Sequence, residues 1–194
     1  MANDSREITL GVGQAHELEM AMNRVGGWNS ALVKLLSTGD KLAELRDVLL
    51  GKSEIKEAEP VIDCDANPFV PNGWTVEEHI KGGMLKWTKS LIALFFADGQ
   101  KNGKCIVGNE LRKVLKDQKV LNANLLDFLY KHPKFIPEEW KGKCVFFWGT
   151  IYRNSDGYLY VRYLFWNGDR WDWDYYWLGS FWNDVRNPAA VRAS

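Results

Sequence analysis

From Cys144 to Ser194 the chain contains no Lys, Glu, Gln or Met, although all four occur before that point. Charged residues make up about a quarter of a typical domain, so a stretch of this length should hold several Lys and Glu. Net charge is missing as well. The 25 basic residues balance 25 acidic ones without a basic run, which removes the electrostatic footprint of a general nucleic-acid binder. Apolar runs such as Ser90 to Ala97 are far too short to span a bilayer. MANDSREITLGVGQ at the start has no basic segment followed by an apolar core, so it does not read as a signal peptide, and the cytoplasm is the default expectation. Cysteine is scarce, and Cys64, Cys105 and Cys144 are odd in number and widely spaced. That excludes a disulfide framework or a zinc cluster, suits a reducing compartment, and leaves three buried or half-buried thiols.

What is present suffices for a soluble globular chain: 194 residues, 46% apolar and 26% charged, enough for one domain with an N-terminal extension. Residues 1–56 read as a helical extension. Leu18, Met22 and Val25 recur at helical spacing, Gly26-Gly27 interrupts them, and Ala31, Leu32, Leu35 and Leu36 follow. Asp40 is placed to cap a third helix that Gly51 would end.

Residues 57–194 form the second region. Pro60, Pro68, Pro71 and Asn72-Gly73 mark loops. Thr75-Val76-Glu77-Glu78 has capping-box spacing and predicts a short helix. Asn109 to Leu115 and Asn122 to Tyr130 read as helices with Asn caps, and Pro137 with Glu138-Glu139 marks another helix start. Three strands are predicted after Lys143: Cys144 to Arg153, Tyr158 to Trp166, and Arg170 to Trp177. Asn154 to Gly157 makes the first turn and Asn167-Gly168 the second. Leu178 to Ser194 reads as irregular.

In the third strand, period two places Trp171, Trp173 and Trp177 on one face and Asp172, Asp174 and Tyr176 on the other. A packed aromatic face explains the tryptophans but not the missing Lys and Glu, because Asp and Asn suit strands no better. The genetic code offers an explanation. An Asn codon altered only at its adenines yields Tyr, Asp, Ser, His, Gly, Val, Phe or Arg. It never yields Lys, Glu, Gln, Met or Trp, because its third base is a pyrimidine. The Trp codon contains no adenine. Adenine-directed mutation of interspersed Asn codons in a Trp, Leu, Pro, Ala and Gly framework would therefore produce this alphabet.

The segment IPEEWKGKCVFFWGTIYRNSDGYLYVRYLFWNGDRWDWDYYWLGSFWNDVRNPAAVRAS resembles the variable proteins of diversity-generating retroelements. VIDCDANPFVPNGWTVEEH and GNELRKVL…LNANLLDFL resemble the upstream part of such proteins. In that family a reverse transcriptase copies a template with errors at adenines, and the copy replaces the end of the target gene. The resemblance implies an α+β, C-type-lectin-like domain with a Trp-rich antiparallel β C-terminal region and a variable stretch of about residues 154–187. It implies a non-enzymatic, receptor-like protein for a protein or other macromolecular ligand, without cofactor or metal. By the same resemblance Trp166, Trp171, Trp173, Trp177, Trp182, Pro188, Ala189 and Ala190 are scaffold. Asp156, Tyr158, Tyr160, Asp172, Asp174, Tyr176, Ser180, Phe181, Val185 and Arg186 are candidate substituted Asn sites, and Asn167, Asn183 and Asn187 candidate unmutated ones. Tyr suits such a surface, as it does in antibody loops.

Two rivals come from other classes. Trp182-Asn183-Asp184 supplies oxygen ligands as calcium-dependent C-type lectins do, which makes a fixed-specificity, calcium-dependent carbohydrate-binding lectin the alternative. A Glu-Pro-Asn partner loop and paired disulfides are absent from the sequence, so the triplet reads as coincidence. An enzyme needs a constellation that the sequence does not present. His16, His79 and His132 are scattered, Asp63 and Asp65 around Cys64 read as a turn pair before a cation site, and Gly11-Val12-Gly13 opens no nucleotide motif.

Overall fold

The computed structural model describes residues 9–38, 40–55, 59–183 and 186–193, with only the backbone of Lys89. Contacts divide the chain into two units, Met1–Glu57 and Ala58–Ser194. The first holds α1 (Val12–Val25), α2 (Ser30–Leu36) and α3 (Lys41–Leu49). Gly26 ends α1 at φ 76°, with its amide bonded to the Met22 carbonyl. The Asn29 side chain caps α2 through the Leu32 amide. Asp40 precedes α3 but makes no side-chain cap bond. No residue of these three helices is buried.

The second unit is an α+β domain. In chain order it holds β1 (Val61–Asp63), β2 (Thr75–His79), β3 (Met84–Lys86), β4 (Ile92–Phe95), β5 (Cys105–Val107), α4 (Gly108–Val114), α5 (Ala123–Lys131), β6 (Cys144–Arg153), β7 (Leu159–Trp166), β8 (Trp171–Trp177), β9 (Phe181–Asn183) and β10 (Ala189–Arg192). The main sheet runs β4-β10-β6-β7-β8, and β2 pairs with the second half of β6. All its pairings are antiparallel except β10 with β6. Two small sheets, β1-β3 and β5-β9, complete it.

Four expectations change. Thr75–Glu78 is a strand, because the second half of β6 offers it a free edge. Glu77 and Glu78 turn to Arg153 and Arg112, at 2.9 and 2.6 Å, instead of capping a helix. The stretch expected to be irregular from Leu178 onward instead supplies β9 and β10. The Ala189-Ala190-Val191 run is buried and carries no alternation because the sheet is covered on both faces there. Asn109 does not cap α4. The first amides of that helix bond instead to the Ser180 and Leu178 carbonyls, and the N-cap is Val107. Asn122 does cap α5, and its amide also binds the Cys64 and Ile80 carbonyls. Pro137 opens only a single 3₁₀ turn, Glu138–Trp140.

The core lies on the two faces of the sheet. Leu125, Leu126 and Leu129 of α5 pack with Val145, Phe147, Leu164 and Trp171 on one side. Leu111 and Leu115 pack with Phe146, Trp148, Leu178 and Trp182 on the other. Gly108 permits the second contact: a Cβ there would lie 2.2 Å from the Trp182 ring.

Candidate ligand-binding surface

The β7-β8 register pairs Val161 with Tyr176, Tyr163 with Asp174 and Phe165 with Asp172, so these six residues share one face of the sheet. Phe146 continues that face on β6, opposite Tyr163. Trp182, fully buried, lies beneath. Its ring sits 4.7 Å from Tyr176, 5.4 Å from Phe146 and 5.3 Å from Trp148. Tyr163 adds a ring 5.0 Å from Phe146. This interlocked aromatic floor carries the exposed Asp174 and Phe181 and the half-buried Asp172 and Tyr176. Tyr176 reaches the Phe181 carbonyl with its hydroxyl at 3.5 Å.

Asn183 and Asn187 shape the rim. The Asn187 side-chain oxygen accepts from the Asn183 amide, and the Asn183 oxygen accepts from the Arg186 amide, a local loop bracket. Arg186 is exposed, and its carbonyl accepts from the Cys144 amide. Ser180 is half-buried in the turn between β8 and β9. Val185 and Asp184 lie outside the described residues.

Asp172, Asp174, Tyr176, Phe181, Asn183 and Arg186 thus belong to the face or its rim. Tyr158 and Tyr160 do not, because period two turns them to the opposite face. There Tyr160 packs at a tilt against Trp74 at 4.8 Å, and Tyr158 meets Trp177 edge-on at 5.7 Å. Asp156 is exposed in the β6-β7 turn. Tyr163 and Phe165 are members that the sequence reading missed. Counting outward from the Asn167-Gly168 turn would have placed them opposite Asp174 and Asp172. Burial pushes the Tyr163 phenol up to about 12, with Asp174, Cys144 and Tyr176 adding to it.

The scaffold tryptophans divide. Trp171 and Trp182 are buried, and Trp166 and Trp173 are half-buried. Trp177, expected inside, is 44% exposed. It ends an edge strand, where its ring lies over Gly179 and, among the described residues, no further strand pairs on its outer side. Trp173 rests on the Arg162 guanidinium at 4.0 Å, a cation–π contact. Arg162 is 1% exposed and paired with Asp127 at 2.8 Å. Burial works against its charge, but the Asp127 hydrogen bond and charge outweigh it and raise its pKa.

Other candidates have structural tasks. The Asp63 carboxylate accepts from the Asp65 and Ala66 amides, and that of Asp65 from the Gly83 amide, so the pair builds turns. Burial, then Asp63 and Asp65, pushes the Cys64 thiol up to about 11. Burial also raises Cys144. Both thiols are therefore protonated at neutral pH, the unreactive form. Among the described residues no group of three or more His, Cys, Asp or Glu is placed to hold a metal ion, and no helix is long and apolar enough to cross a membrane.

No protein-family model matches the chain, and neither does any curated protein or solved structure.

Proposed function

We propose that this chain is a non-enzymatic, receptor-like ligand-binding protein with a C-type-lectin-like domain, whose C-terminal surface is diversified by adenine-directed mutagenesis from a retroelement template. The observation that carries the reading joins sequence to geometry. The tail lacks Lys, Glu, Gln and Met, and its Asn-accessible residues Asp172, Asp174, Tyr176, Phe181 and Arg186 stand on or beside one face, above a floor anchored by Trp182. A surface built this way separates stability from specificity: buried rings hold the backbone while outer side chains meet the ligand. Its breadth and its Tyr and Phe content suit a macromolecular partner.

The test is a library in which Asp174, Tyr176, Phe181 and Arg186 are replaced together by other Asn-accessible residues, scored for folding and for binding. Most members should fold, with exposed positions each changing stability by less than about 0.5 kcal/mol, while ligand preference changes from member to member. Widespread failure to fold would remove the reading. Binding that disappears in chelator would favour the calcium-dependent lectin instead. The coding DNA supplies a second check: an adenine-rich near-repeat of the tail beside a reverse transcriptase gene is expected.

A further inference from the structure

Strand β8 ends the main sheet, and among the described residues no strand pairs with its outer side. The main-chain bonds at either end of the β7-β8 ladder fix which amides face outward. The Asn167 amide bonds to the Arg170 carbonyl, and the Leu178 amide to the Leu159 carbonyl. Counting by two from either bond, Asp172, Asp174 and Tyr176 exchange hydrogen bonds with β7. Trp171, Trp173, Tyr175 and Trp177 therefore turn their main-chain groups to the free edge. That edge is a ready-made template for another extended strand.

Two of the outward amides are already occupied. The Trp173 amide donates to the Asp172 carboxylate at 2.9 Å, and the Tyr175 amide to the Asp174 carboxylate at 2.7 Å. In both, the amide donates a charge-assisted bond to the carboxylate of the residue just before it. We infer that the outer edge of β8 is a latent pairing surface for the same strand of a second copy of this chain, held single by the carboxylates of Asp172 and Asp174.

Two independent effects guard the edge. A second strand would have to displace both carboxylates from the amides they cover. Antiparallel self-pairing also sets like charge against like charge. If Trp173 faces Tyr175 of the second copy, Asp174 faces Asp174. If Trp173 faces Trp173, Asp172 faces Asp174. If Trp171 faces Trp173, Asp172 faces Asp172. Like charges directly opposite destabilise a strand pair, so these registers, the fully overlapped one among them, are opposed; where Tyr175 faces Tyr175 no two carboxylates meet, and there the covered amides alone guard the edge. Arg170, 3.9 Å from Asp172, offsets part of one charge, which leaves the exposed Asp174 as the stronger guard. This inference stands apart from the diversification reading, because it needs only the geometry of β8.

The test compares the full chain with D172A/D174A and D172N/D174N by sedimentation over a concentration series and by residue-resolved hydrogen exchange. The Ala pair uncovers both amides and removes both charges. Its self-association should tighten at least about tenfold over the unsubstituted chain, the scale of one to two hydrogen bonds. The Asn pair keeps an acceptor for each amide and should tighten association less than the Ala pair does. An association constant for the Ala pair equal to that of the unsubstituted chain overturns the proposal, and so does an Asn pair that associates as tightly as the Ala pair. If the Ala pair does not fold, D174A and the unsubstituted chain decide the matter. The Trp173 and Tyr175 amides of the unsubstituted chain should exchange about tenfold more slowly than unstructured amides, and D174A should associate more tightly. Exchange of both amides at the unstructured rate, or unchanged association of D174A, would equally overturn it.

Discussion

Phe181 and Trp182 are adjacent in the chain and opposite in environment, at 63% and 0% exposure. Period two in a short strand produces that contrast, and it sets the expected effect of change at each. Trp182→Ala should cost about 3–5 kcal/mol, because a large buried ring leaves a cavity. Phe181→Ala should stay within about 0.5 kcal/mol. Thermal or denaturant unfolding measures both, and similar losses at the two sites would contradict the assigned faces. Tyr163 gives a pH signature. Its folded pKa of about 12 lies above the usual phenol value near 10. The stability that it contributes is complete below about pH 10 and is lost as pH rises through about 12, because the unfolded chain releases the proton first. Tyr163→Phe should flatten alkaline destabilisation over that window, as followed by denaturant titration at stepped pH. An identical profile in the variant would assign the alkaline loss to other groups.

At the scale of elements, the strands surround one polar knot. The Asn122 side chain caps α5, binds the Cys64 and Ile80 carbonyls, and is itself buried. Beside it Gly149 carries the irregularity in β6, where its amide leaves β7 and bonds to the Leu121 carbonyl. A Cβ at Gly149 would lie 2.9 Å from Asn122, so the bulge and the cap depend on each other. Asn122→Ala removes the cap and leaves two carbonyls unpaired, at an expected cost of about 2–4 kcal/mol. Asn122→Asp keeps an acceptor for the cap but sets a buried carboxylate against the two carbonyls, and should cost at least as much as Ala. A loss for Asp clearly smaller than for Ala would show that the two donated bonds contribute little.

At the scale of the molecule, the order of the main sheet makes the C-terminal end structural. Strand β10 lies between β4 and β6, antiparallel to one and parallel to the other. A chain cut after residue 187 loses an inner strand and exposes two edges where the core was closed. It should lose the cooperative unfolding transition of the second unit, which circular dichroism and calorimetry would report. Persistence of a sharp transition would mean that β4 and β6 close without β10. If the tail is diversified as proposed, each replacement would have to restore Pro188, Ala189 and Ala190, while free to alter the residues above the aromatic floor.

Elements with strong local signals were legible in the chain. The Asn122-capped helix, the Asn154–Gly157 and Asn167-Gly168 turns, and the alternation of Trp171, Asp172, Trp173 and Asp174 follow from capping, turn geometry and period two, all of which act within a few residues. The restricted alphabet of the tail was legible too, since it is a property of composition alone. Local signals failed where a distant partner decided. Thr75–Glu78 became a strand because β6 had an open edge for it, and Ala189–Arg192 became an inner strand although its small residues show no pattern. Trp74, far away in the chain, packs its ring against Tyr160 on the opposite face, a contact that no local signal announced. Sequence by itself determined which residues alternate. Tertiary structure decided which face is covered, because burial depends on contacts between segments that the chain brings together only on folding.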